Sequence, residues 1–211
     1  WKERSSKMTL FKSKTLKTAL AGYFGFCLLA YSVSWAEMTQ VSNSQMSSHK
    51  DKANSAIKTY QTRLKSELKE AIRNGGPKAA ISICSEKASQ IAQETSEEFG
   101  LSIGRTSLKL RNPTNKADDW ELAMLNQFKV RKKQGVSLAS MEASYQDDTI
   151  FRYMKAIPMN GMCANCHGTN VNPKLYKHIK EYYPDDQAIG LKPGDTRVAF
   201  TVSIPIRYTK E

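Results

Sequence analysis

The sequence predicts an α+β fold: an antiparallel sheet preceded by a long antiparallel helical hairpin. Three observations carry this. Two helical apolar stripes come first, separated only by Asn74-Gly75-Gly76-Pro77. A strictly alternating run, Val198 to Ile204, lies near the C-terminal end. Short helical and strand-like segments alternate between them without an internal repeat, the pattern of segregated helices and an antiparallel sheet.

From Met8 the chain reads as an export signal over 8–36. Lys12, Lys14 and Lys17 form a positive region, Thr18 to Ala30 is an almost uncharged apolar run, and Ser34-Trp35-Ala36 offers small residues at a cleavage site. A retained anchor is the alternative, although the run is short for a bilayer span. Residues 1–7 precede a plausible initiator and read as non-native. Polar, Ser-rich 37–50 reads as a flexible leader, leaving 51–211 as a single domain.

Ala53, Ile57, Tyr60, Leu64, Leu68 and Ile72 recur at three- and four-residue spacing, one apolar helix face. The Asn-Gly-Gly run stops that helix, and Pro77 opens a second at its first turn. The second stripe is Ala80/Ile81, Cys84, Ala88 and Ile91/Ala92, ending near Gly100. Leu101–Leu108 reads as a strand, and Arg111 to Asn115 as a turn around Pro113. Asp118 or Asp119 caps a third helix carrying Trp120, Met124 and Phe128, closed by Gly135. Residues 148–157 read as a strand. Asn172-Pro173 opens a short helix that stops before Pro184. In the last strand Val198, Phe200, Val202 and Ile204 share one face. Trp120 and Tyr153 read as core.

The 211 residues carry a formal charge of +12. Six basic and one acidic residue lie in 1–36, so the remainder is about +7, scattered and not gathered in a stripe. Such a surface can steer an acidic partner; nucleic acid does not suit an exported protein. The partner expected is an unidentified redox or signalling protein, with contact to a membrane peripheral at most. Without Cys27, three cysteines remain, Cys84, Cys163 and Cys166, an odd number that does not make a simple disulfide framework.

Cys163-Ala164-Asn165-Cys166-His167 explains two of them. Thiols three positions apart on one helical turn can add to the two vinyl groups of a haem, and the adjacent imidazole then reaches the iron. One covalent haem c follows as the expected cofactor. The competing readings are a redox-active CxxC, which needs no histidine, and a zinc site built from Cys84, Cys163, Cys166 and His178. Gly168 would let a porphyrin edge approach the backbone. For the second axial position the candidates are Cys84, His178, Met154, Met159, Met162, or an open site. Cys84 lies on the apolar stripe, where it serves equally as ligand or as small core filler. Arg105 and Arg111 are candidates to pair with haem propionates, or are structural arginines. No catalytic constellation is visible, so the chain does not read as an enzyme.

The runs PKAAISICSEKASQIA, IGRTSLKLRNPTNKADDWE, CANCHG and YPDDQAIGLKPGDTRVAFTVSIP, in that order over about 75–211, resemble the PAS-like c-type haem domain family. This family, first named as a domain of unknown function, occurs in cyanobacteria and proteobacteria, alone or as a sensing part. The resemblance implies a PAS-like antiparallel sheet with flanking helices. It also implies His/Cys ligation, with His167 proximal and the cysteine of the AISIC run, Cys84, distal. A low-potential periplasmic redox or small-ligand sensor is then the expected function, and a periplasmic electron carrier the alternative.

Overall fold

The computed structural model describes residues 21–159, 161–192 and 194–206, with side chains from Asn43 onward except those of Thr196 and Arg197. The expectations for residues 1–7 and for the positive part of the export signal lie outside the described residues. Two compact units are formed, Trp1–Gln45 and Met46–Glu211. In the first, residues 21–45 have helical backbone. Among the described residues no helix is long and apolar enough to cross a membrane.

Helix α1 (Ala21–Ser82) is broken at Gly76, whose φ of 70° and ψ of −170° suit a residue without Cβ, and Pro77 restarts it. A single π-turn, Ile83–Lys87, joins it to α2 (Ala88–Phe99). Arg63 and Glu98 form an ion pair at 2.7 Å. A straight helix would hold residues 35 apart in sequence roughly 50 Å from each other, so the chain folds back as the predicted hairpin. Residues 37–50, read from the sequence as a leader, have helical backbone within α1. At the end of that stretch two polar side chains find partners on the sheet. Lys50 pairs with Glu142, and His49 lies 5.4 Å from the Phe151 ring.

Four antiparallel strands follow, β1 (Ser102–Thr106), β2 (Glu142–Gln146), β3 (Ile150–Pro158) and β4 (Thr196–Pro205), in the order β1-β4-β3-β2. β2 is an edge strand absent from the sequence reading, and β1 is shorter than Leu101–Leu108. Period-two alternation splits the sheet into two apolar faces. Ile103, Phe151, Tyr153, Phe200, Val202 and Ile204 pack with Ala53, Ile57, Tyr60 and Ile91 of α1 and α2. Met154, Ala156 and Ala199 pack on the other face with Leu125 and Phe128 of α3 (Asp119–Lys133). The fold is thus α+β, with helices on both faces.

Asp118 caps α3 with its carboxylate on the Glu121 amide, and Glu121 reaches back to the Asp118 amide, a reciprocal capping box. Arg152 on β3 then joins the helix start to the sheet, 2.6 Å from Asp118 and 4.5 Å above the Trp120 ring. Between β3 and β4 the chain makes α4 (Gly161–His167) and α5 (Pro173–Tyr182), the latter capped by Asn172 as expected.

Candidate functional site

The short helix α4 presents Cys163 and Cys166 as half-buried thiols on one turn, with His167 buried at its last position. All three border a cleft whose opposite wall includes Leu68, Ile72, Pro77 and Ala80 of α1.

His167 is held from its other side. Its Nδ1 lies 2.7 Å from the Ala188 carbonyl oxygen. A carbonyl only accepts, so Nδ1 carries the proton and donates, and Nε2 is left with its lone pair. The main chain adds to this clamp: the Leu191 amide donates to the His167 carbonyl at 3.0 Å and the Gly190 amide to the Gly168 carbonyl at 2.9 Å.

Arg111 and Asp186 fix the loop that supplies Ala188. Arg111 Nε and Nη2 donate to the two carboxylate oxygens of Asp186, each at 3.1 Å, and Nη2 also donates to the Cys166 carbonyl at 2.7 Å. The Asp186 side chain is wholly buried and accepts the Ala188 amide at 2.9 Å. One carboxylate therefore neutralises the arginine and shapes the turn that aims Ala188 at His167. Arg111 Nη1, the nitrogen left over from these contacts, lies 3.4 Å from His167 Nε2.

Sequence reasoning placed Arg111 near the site but missed Asp186 and Ala188. The signal available was Asp186 two residues before Ala188, the spacing of an Asx turn, in a segment with an unmatched arginine elsewhere. Arg105 stacks over Tyr60, its Cζ 5.9 Å from the ring centroid, and lines a small polar cavity together with Arg111 and His167.

Cys84 sits in the π-turn, half-buried, one turn beyond the cleft-lining Ala80. Burial, and then the adjacent Cys84, push the Tyr183 hydroxyl up to about 12, against the pull of Arg105 and Arg111 and a hydrogen bond with Ser85. The other axial candidates are placed differently. Met154 is buried under α3, Met159 is buried at the end of β3, and Met162 borders the cleft. His178 hydrogen-bonds Glu181 at 2.5 Å. Among the described residues no three His, Cys, Asp or Glu side chains converge on a metal-ion site.

Gly168 is required by its own helix. A Cβ there would stand 2.5 Å from the Ala164 carbonyl oxygen, which already accepts the Gly168 amide at 2.9 Å. Backbone cannot yield as a side chain can. Gly168→Ala is expected to lower stability by about 1–3 kcal/mol, the usual range for overpacking, measured as a fall in the urea midpoint at unchanged m.

No curated protein matches the chain significantly. A crystal structure of the cyanobacterial heme-protein Tll0287 is similar at 27% identity, over 56% of this chain and 70% of that one, with a TM-score of 0.47. The family model described as Tll0287-like matches residues 36–205, which include every site residue above. That match spans most of the sequence: the chain belongs to the Tll0287-like family.

Proposed function

We propose that this chain is a periplasmic haem c protein, non-enzymatic, that senses redox state or a small ligand through one covalent haem. The observation that carries the reading is the pairing of two thiols on one turn with an imidazole whose tautomer is already chosen. The protein after which the family is named is a cyanobacterial heme-protein.

The donor set fits the group. Cys163 and Cys166 would hold the porphyrin through thioether bonds, and His167 Nε2 would be the proximal ligand. The Ala188 carbonyl orients that imidazole and raises its basicity by accepting from Nδ1. Arg111 Nη1 has to withdraw from Nε2 before that nitrogen can take a ligand. The guanidinium is a rigid plane, so that withdrawal also shifts its two-point contact with Asp186. Cys84 is the proposed distal ligand, as thiolate. Arg105 and Arg111 are the cations proposed to face the propionates. Bound haem supplies a one-electron couple at its iron.

Expression in cells with cytochrome-maturation machinery tests this directly. The purified protein is expected to gain the mass of one haem, retained under denaturing conditions, and Cys163→Ala/Cys166→Ala to lose it. A colourless product of unmodified mass would overturn the reading. Rapid CO or NO binding by the ferrous protein, followed by its Soret shift, supports sensing; its absence, with fast oxidation by an acidic cytochrome, supports electron transfer. Recovery in the periplasmic fraction checks the location.

A further inference from the structure

A lysine-rich concavity lies beyond the haem motif, at the C-terminal end of α3. It is a cavity of about 420 Å³ whose apolar wall is Leu108, Leu125 and Leu191. That volume falls within the range of small-molecule sites, roughly 300–1,000 Å³. Leu125 is 2% exposed and Leu191 8%, whereas Leu108 at the mouth is 42% exposed.

The rim is cationic. Lys129, Lys132 and Lys133 come from α3, where three- and four-residue spacings from Leu125 bring them to one face, and Lys109 comes from the segment after β1. The acid in the lining, Asp195, is matched by Lys132 at 2.7 Å. Lys109, Lys129 and Lys133 therefore have no ion-pair partner among the described residues. Lysines in a last helical turn suit the negative end of the helix dipole, which accounts for Lys132 and Lys133. It does not account for Lys109, which another element brings to the same rim.

We propose that this cavity binds an amphipathic organic anion, its apolar body on the three leucines and its carboxylate-type head among Lys109, Lys129 and Lys133. A cation would be repelled by that rim, and a fully polar anion would leave the exposed Leu108 wet. The floor of the cavity is also the clamp on α4. Gly190 and Leu191, whose amides hold the Gly168 and His167 carbonyls, line it. An occupant thus lies one backbone segment from His167. The proposal stands independently of the haem reading.

Isothermal titration of the full-chain protein with decanoate, and with decyltrimethylammonium as its charge-reversed counterpart, tests it. Decanoate is expected to bind saturably at one site, and more tightly than the ammonium by on the order of tenfold. Lys129→Glu/Lys133→Glu, both on the exposed helix face, should weaken decanoate by on the order of tenfold. Leu108→Asp, at an exposed position, should do the same from the apolar side. Equal binding of both amphiphiles, no saturable decanoate binding, or unchanged decanoate affinity in these folded variants would overturn the proposal.

Discussion

Asp186→Ala is expected to destabilise the protein by about 3–5 kcal/mol, the range seen when one member of a buried ion pair is removed. The reason is what stays behind. Arg111 keeps its charge, its side chain is only 12% exposed, and it loses both of its carboxylate acceptors. The Cys166 carbonyl satisfies one of its nitrogens but does not neutralise it. The Ala188 amide loses its acceptor as well, so the turn aimed at His167 loosens. Urea unfolding followed by circular dichroism reads the loss. Asp186→Asn, which keeps oxygen and shape but not charge, should fall between wild type and alanine. Arg111→Met/Asp186→Leu should recover much of the loss, because replacing a buried pair by apolar side chains removes the desolvation penalty along with the attraction. A loss below about 1 kcal/mol in Asp186→Ala would place this pair with exposed ones, whose worth is of that size.

Where signals were local, the sequence reading anticipated the fold. Gly76-Pro77 breaks the hairpin where a left-handed residue followed by a helix starter must break it. Asn172 caps α5 through a side chain bonded two and three residues on. Val198 to Ile204 alternates because one face meets α1 and α2 and the other meets α3. The misses depend on distant partners. β2 is polar and at an edge, and only its pairing with β3 makes Glu142–Gln146 a strand. Asp186 is charged and follows another aspartate, so it reads as surface until Arg111, 75 residues earlier, is folded against it. The helix over 37–50 has no apolar stripe of its own to announce it. The π-turn is a matter of one additional residue per turn, which a three-to-four spacing of apolar positions does not register.

That π-turn bears on the second large effect, expected at Cys84. A one-residue widening re-aims the side chains it contains, and such turns recur at functional positions for that reason. Here it carries Cys84, one turn beyond Ala80 on the cleft wall. If Cys84 is the distal ligand of the proposed haem, Cys84→Ala removes a thiolate that donates electron density and favours the oxidised iron. The reduction potential should then rise by on the order of tens to hundreds of millivolts, and the ferric spectrum should lose its low-spin thiolate features. The covalent haem should remain, because Cys163 and Cys166 hold it, so the mass increment separates failure of this ligand from failure of the haem reading. Cys84 is only half-buried, so the fold should survive the change and the spectrum can be read. A variant that keeps both its haem and the wild-type ferric spectrum would remove Cys84 from the iron.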